Sequence, residues 1–236
     1  MGTFLAVSAV RDVSVEQIAQ SIAQFAKLHA VAAELVNADS NDQSAEPDAW
    51  IFDPFNRWTV ILWPQYFGGH DRAACQHITR ELGTLACTVH VYDGDYWAHA
   101  LFDAGEWVDR FCSEPNYHSE DETSASARTL RDQWRGDPTA YSTRLGVEST
   151  AISGYFVQCP YYPDADEELS DDQRERLLND LPRVAPDDLF ALCDFWVFTD
   201  LWRRLGIEYP EDPGAWRTGV RFAVGFLKRL PDLGDL

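Results

Sequence analysis

The chain has 236 residues, with 39 acidic side chains against 19 basic ones and a formal net charge of −20. Its hydrophobic content of 45% and aromatic content of 13% exclude intrinsic disorder as a property of the whole chain. The negative electrostatic potential of such a chain disfavours binding to nucleic acids and to anionic membranes, because both need clustered Lys and Arg. We therefore expect neither a nucleic-acid partner nor a membrane partner.

The first half of the chain alternates strand and helix patterns. Residues 3–10 predict a buried strand, and Ser14 can cap the helix that follows it. Further strands are expected over 30–36 and as a hairpin within 50–63. A second helix is expected over 69–82, because apolar side chains recur there with helical spacing and a glycine follows.

Residues 86–111 predict a three-stranded meander. Asp93 and Gly94 are typical of a two-residue hairpin turn, because a type I′ turn needs positive φ at both positions. Residues 103–105 predict a three-residue loop with Gly105 in the left-handed conformation. Two helices packed on an antiparallel or mixed sheet make this half of the chain α+β.

The second half predicts mainly helices. Short helices are expected over 128–135, 138–145 and 148–157. Two longer ones are expected over 186–205 and 214–230, the first beginning at a proline and ending before a glycine.

A polar segment, residues 113–127, separates the two halves and predicts a linker. The expected organisation is a sheet unit over 1–112 and a helical unit over 128–236 docked on it. One continuous domain is the alternative.

The cysteines and the first residues predict a reduced, cytoplasmic setting. The first apolar run ends at Arg11 with no basic region before it, unlike a signal peptide. No apolar stretch approaches the roughly 20 residues that span a bilayer. The cysteines are scattered, odd in number and never in a Cys-x-x-Cys pair, which favours free thiols over disulfides or a zinc site. They are Cys75, Cys87, Cys112, Cys159 and Cys193.

Counting from the two turns places several polar side chains on one face of the meander. The second loop puts His99 opposite Asp109, with His90 beside it on the neighbouring strand. A His99–Asp109 contact would orient the imidazole for general-base catalysis. Two imidazoles and a carboxylate could also hold a metal ion, so a metal-assisted hydrolase is one interpretation. Its candidate catalytic residues are His90, His99, Asp109 and Asp95.

The competing interpretation is a half-buried sheet face whose histidines are simply hydrogen-bonded. A slip of one residue in the second loop would move Asp109 to the other side of the sheet. The sequence contains no GxGxxG, GxxxxGK, HExxH or GxSxG motif, so phosphate-cradling enzymes and serine hydrolases lack support. We expect no cofactor and assign no metal ligand.

An acidic tract over 164–188 is the second candidate for a functional surface. It could present carboxylates to a basic protein, since opposite potentials raise association rates and fix orientation. Nearby tyrosines could anchor the interface. The alternative is a solvated loop whose acidity only keeps the protein soluble. The candidate binding residues are Asp164, Asp166, Glu167, Glu168, Asp171, Asp172, Tyr161 and Tyr162.

Several segments resemble a family of uncharacterised bacterial proteins. They are residues 88–97 (TVHVYDGDYW), 101–105, 108–111, 194–196 and 205–210. The family has no established activity, so the resemblance transfers no catalytic residue. Small acidic α+β chains are also similar in type to immunity proteins that neutralise toxins. The predicted function is a non-catalytic, immunity-like binding protein that occludes a basic protein partner, with an accessory role as a further alternative.

Overall fold

Eight strands form one sheet in the part of the chain that the computed structural model describes. That part comprises residues 2–28, 35–36, 48–64, 70–119, 121, 123–159, 182–210 and 219–224. The strands are β1 (Leu5–Arg11), β2 (Leu35–Val36), β3 (Asp48–Phe52), β4 (Trp58–Leu62), β5 (Leu85–Tyr92), β6 (Tyr96–Asp103), β7 (Glu106–Cys112) and β8 (Gly219–Ala223). Their order across the sheet is β2-β8-β3-β4-β1-β5-β6-β7.

The sheet is antiparallel in each pairing whose register is defined. β1 pairs with β4, β4 with β3, β3 with β8 and β8 with β2. β1 also runs antiparallel to β5, because Ser8 bonds Thr88 at one end while Thr84 bonds the Arg11 carbonyl at the other. The predicted α+β class with an antiparallel sheet is therefore confirmed.

Six helices accompany the sheet among the described residues. They are α1 (Val15–Leu28), α2 (His70–Leu82), α3 (Ala125–Gln133), α4 (Pro138–Leu145), α5 (Ser149–Ile152) and α6 (Val197–Arg204). A 3-10 turn, Ser153–Tyr155, directly follows α5. No described helix is both long and apolar enough to cross a membrane.

The beginning of α1 shows how local chemistry fixes a helix. The Gln17 amide donates to Ser14 Oγ at 3.3 Å, and the Gln17 side chain accepts from the Ser14 amide at 2.8 Å. This reciprocal capping box satisfies two amides that the helix cannot bond itself. Ile18 and Ile22 are then fully buried in the core with Ile78 of α2. The cap at Ser14 is the one that the sequence predicted.

The two turns of the meander differ in how well they match the prediction. Asp93 (φ 53°) and Gly94 (φ 80°) form the predicted two-residue turn. In the second turn only Ala104 (φ 48°) and Gly105 (φ 88°) lie between β6 and β7, so the predicted three-residue loop is wrong. Counting from the shorter loop shifts the register by one residue, and His99 is no longer placed opposite Asp109.

The chain divides into two compact units. The sheet-core unit is Phe4–His90, Ala100–Val108 and Gly206–Leu236, and the hairpin unit is Met1–Thr3, Val91–His99 and Asp109–Leu205. This division does not follow the predicted boundaries at 112 and 128. The segment 113–127 lies within the hairpin unit, where Ser113 and Asn116 are buried, and it contains the start of α3.

Among its described residues, the second half is not clearly mainly helical. The three short helices occur close to their predicted positions, but the helix predicted over 186–205 is confined to α6. Before α6 the backbone turns, because the Asp200 carboxylate accepts from the amides of Leu189 and Phe190. The helix predicted over 214–230 is also wrong where the structure describes it. Residues 219–223 form β8, held by pairing with β3.

A disulfide joins Cys159 to Cys193, with Cα atoms 5.9 Å apart. The prediction of five free thiols is therefore wrong for this pair. The spacing of 34 residues gave no sign of it, because the two cysteines are brought together only by the folded chain. Cys75, Cys87 and Cys112 lie outside the disulfide and are buried.

Candidate functional site

The four side chains predicted as a catalytic cluster each have a different hydrogen-bond partner. The predicted contact of His99 with Asp109 is replaced by bonds to residues of other elements. The pairs are His90 Nε2 with Asp71 Oδ1 at 2.6 Å, His99 Nδ1 with Tyr141 Oη at 2.7 Å, Asp95 Oδ2 with Tyr117 Oη at 2.5 Å and Asp109 Oδ2 with the Asp137 amide at 2.9 Å. These bonds hold His90 to α2, and they hold His99 and Asp109 to α4 and to its N-cap residue, respectively.

His90 belongs to a buried chain of hydrogen bonds in the sheet-core unit. The Trp63 indole donates to Ser8 Oγ at 2.8 Å, and Ser8 donates to Thr88 Oγ1 at 2.9 Å. Thr88 and His90 then both donate to the carboxylate of Asp71, which is fully buried. Burial opposes ionisation of Asp71, but the His90 charge and these two hydrogen bonds hold the pKa of the carboxyl below its usual value.

The Asp71–His90 pair fixes the orientation of the imidazole. A carboxylate can only accept hydrogen bonds, so Nε2 of His90 carries a proton and donates it to Asp71. The sequence pointed to His90 but missed Asp71. No spacing rule connects the first turn of a helix to a strand that begins 14 residues later.

His99 lies in a different environment, in the hairpin unit. It is 1% exposed, and its Nε2 has no hydrogen-bond partner among the described residues. Burial lowers the pKa of His99 to about 3, so the ring is neutral near neutral pH. It is hydrogen-bonded inside the unit, as the structural interpretation predicted.

The described residues contain no group of three or more His, Cys, Asp or Glu side chains arranged to hold a metal ion. The candidate residues of the acidic tract, 161–172, lie outside the described residues, so their arrangement stays a prediction.

A cluster of aromatic and acidic side chains lies at the tip of the β5–β6 hairpin. We call it the hairpin surface, and it consists of Tyr92, Asp93, Asp95, Tyr117 and His118. Its rings are close: Tyr92 lies 5.8 Å from Tyr117 and 5.3 Å from His118, and the last two are 4.9 Å apart. Tyr92 is 38% exposed, and both carboxylates and His118 are also exposed.

The hairpin surface is electronegative. The pKa of Tyr117 is raised to about 12, mainly by its hydrogen bond to Asp95, with a further contribution from the charge of Asp93. Neither carboxylate forms an ion pair with a described basic side chain.

Some acidic groups elsewhere in the described chain are neutralised by arginine side chains. Asp12 forms a double hydrogen bond with Arg57, whose Nε lies 2.6 Å from Asp12 Oδ1. Arg204 Nη2 lies 2.6 Å from Asp188 and 2.5 Å from Asp187. The carboxylates of Asp12, Asp187 and Asp188 are thus held by ion pairs, which no described basic side chain forms with Asp93 or Asp95.

Sequence reasoning found part of this surface. Asp95 was proposed as a catalytic candidate and Asp93 as a turn residue, whereas Tyr117 and His118 were assigned to a linker. The only signal in the sequence was an adjacent pair of aromatic rings within an otherwise polar segment. The chain matches no known protein family, no curated protein and no solved structure.

Proposed function

We propose that the protein is a non-catalytic binding protein whose hairpin surface receives cationic side chains of a basic protein partner. The observation that carries the proposal is the pair of exposed carboxylates, Asp93 and Asp95, set beside three aromatic rings without a described basic partner. Arginine and lysine are attracted both to carboxylates and to the faces of aromatic rings. The hairpin surface therefore offers a cationic side chain both a carboxylate and the face of an aromatic ring.

The charge of the whole chain supports the same function. A net charge of −20 attracts a basic partner over a distance of about a Debye length and raises the association rate. Contacts at the hairpin surface would then fix the orientation of the complex. Occlusion of a basic toxin by an immunity-like protein is the biological role that we infer, and it agrees with the type resemblance noted in the sequence.

The geometry favours this function over a metal-assisted hydrolase. The hydrolase requires His90, His99 and Asp109 to act together, and each of these side chains is hydrogen-bonded to a different residue of the chain. An Asp–His pair is present at Asp71 and His90, but its other described partners are structural hydroxyl groups.

The test uses an arginine-rich peptide as a probe of the surface. We expect binding that weakens as salt is raised, and an affinity about tenfold lower in an Asp93→Asn/Asp95→Asn variant. A matched control, Asp53→Asn/Asp132→Asn, removes the same charge from two exposed positions elsewhere. The affinity of each variant for the peptide is measured by fluorescence anisotropy. An equal loss of affinity in the two variants would show that the peptide responds to the net charge of the chain and not to this surface.

A further inference from the structure

We propose that the Cys159–Cys193 disulfide is a redox control of the hairpin surface, so that reduction loosens the hairpin tip and weakens binding of cations there. The binding part of this inference rests on the proposed function. The structural part stands on two connections that run from the two half-cystines to the hairpin, and all of the residues involved lie in the hairpin unit.

The first connection is a ladder of backbone hydrogen bonds. The Cys159 amide donates to the Ser113 carbonyl at 2.7 Å, and the Ser113 amide donates to the Trp97 carbonyl at 2.9 Å. The Trp97 amide in turn donates to Ser113 Oγ at 3.1 Å. Trp97 follows Tyr96, whose ring stacks on Tyr92 with 5.5 Å between centroids. Cys159 thus holds the strand that supports an aromatic ring of the surface.

The second connection passes through a phenylalanine ring. Cys193 is two residues before Phe195, and this ring lies against Gly94, where an added Cβ would be 3.5 Å from Phe195 Cε1. Gly94 lies between the two carboxylates of the hairpin surface. Cys193 itself has φ 70°, a left-handed conformation that costs a non-glycine residue energy and needs an external constraint. The disulfide and the 3.2 Å hydrogen bond from the Asp194 amide to the Ala191 carbonyl both constrain the chain at this residue.

The disulfide is also the accessible sulfur group among the described cysteines. Cys159 and Cys193 are half-buried, whereas Cys75, Cys87 and Cys112 are buried, and burial raises the pKa of the Cys75 and Cys87 thiols. A reducing protein with two thiols would attack one sulfur as a thiolate and form a mixed disulfide. Its second thiol would then release the chain. Two electrons and two protons pass to Cys159 and Cys193, and the reductant leaves as a disulfide.

The experiment first counts thiols in the folded full chain and then measures amide hydrogen exchange. A thiol reagent should find no reactive cysteine in the oxidised form and two after treatment with a dithiol. On reduction, the amides of Asp95, Trp97 and Ser113 should exchange at least about tenfold faster. The amide of Asp12, which bonds the Arg57 carbonyl in the sheet-core unit, should keep its rate.

A Cys159→Ala/Cys193→Ala variant is the control, because the dithiol should have no effect on its exchange rates. Unchanged rates at the three hairpin amides of the wild-type chain would overturn the inference. So would an equal acceleration at Asp12, since the bond would then stabilise the whole fold rather than the hairpin.

The arginine-rich peptide distinguishes this inference from the proposed function. We expect the reduced chain to bind it about tenfold more weakly than the oxidised chain. Equal binding by both forms would overturn redox control and leave the proposed function intact. Binding by neither form would overturn the proposed function and, with it, control of that function by the disulfide.

Discussion

His99 Nδ1 and Tyr141 Oη are joined by a 2.7 Å hydrogen bond inside the hairpin unit, and the opposite ring nitrogen has no partner among the described residues. A protonated imidazole would have to place its second N–H in this buried position. Neutral His99 is therefore part of the folded state, and protonation opposes folding.

Acidification should destabilise the protein through His99. Its pKa falls from 6.5 to about 3 on folding, so the unfolded chain binds the proton more tightly. Neutral His99 makes its full contribution to the free energy of unfolding above pH 6.5. This contribution declines by up to about 1.4 kcal/mol per pH unit as the pH falls towards 3. Urea unfolding at pH 7 and pH 5 should show a smaller difference for His99→Gln than for the wild type. An equal difference for the two proteins would contradict the prediction.

Removal of the buried Asp71 carboxylate should lower the free energy of unfolding much more than removal of an exposed carboxylate. Asp71→Ala leaves His90 and Thr88 without their shared acceptor, and we expect a loss of about 3 kcal/mol in the free energy of unfolding. Folding lowers the pKa of Asp71 from its ordinary value of 3.8, so the Asp71 carboxylate stabilises the fold fully above pH 3.8. This stabilisation is lost as the pH falls through the lower pKa that Asp71 has in the folded state. Asp132→Ala is the control, and an equal effect of both changes on urea unfolding would contradict the prediction.

Two neighbouring arginines should differ in their contribution to stability. Arg204 bonds the buried Asp188 at 2.6 Å and is 24% exposed, whereas Arg203 bonds it at 3.2 Å and is 45% exposed. We expect Arg204→Ala to cost about 2 kcal/mol and Arg203→Ala about 1 kcal/mol or less. Thermal unfolding of the two variants shows which one loses more stability. A larger loss of stability in Arg203→Ala would contradict the prediction that Arg204 is the main partner of Asp188.

The disulfide should stabilise the hairpin unit, which contains both half-cystines, against unfolding. Loss of a cross-link between residues 34 apart is expected to cost about 3–4 kcal/mol, through the freedom gained by the unfolded chain. Urea unfolding of Cys159→Ser/Cys193→Ser should give this loss, and addition of a dithiol should bring the wild type to the same value. A wild-type chain that keeps its stability under the dithiol would show that the bond is absent or unreduced.

Local chemistry made the first half of the fold predictable. The capping box at Ser14 and the turn at Asp93 and Gly94 each depend on a few neighbouring residues, and both are present. The second turn shows the limit of this approach. A two-residue and a three-residue loop can both place Gly105 at positive φ, and the choice moved every later residue of β7 by one position.

The remaining errors concern contacts between distant residues. Residues 219–223 have apolar side chains that fit a helix or a strand, and pairing with β3 decided for the strand. The Asp200 carboxylate accepts hydrogen bonds from the amides of Leu189 and Phe190, which in a helix would bond backbone carbonyls. No local sequence pattern predicts this contact. The hairpin surface likewise depends on the return of Tyr117 and His118 to a turn more than 20 residues earlier.

The position of β8 between β2 and β3 has a consequence for biosynthesis. β3 is made early, yet one of its edges is covered only by residues 219–223. A ribosome must therefore add more than 160 residues after β3 before that edge can close. Nascent chains and premature truncations carry an open strand throughout this interval, which is the form most prone to pair with another chain.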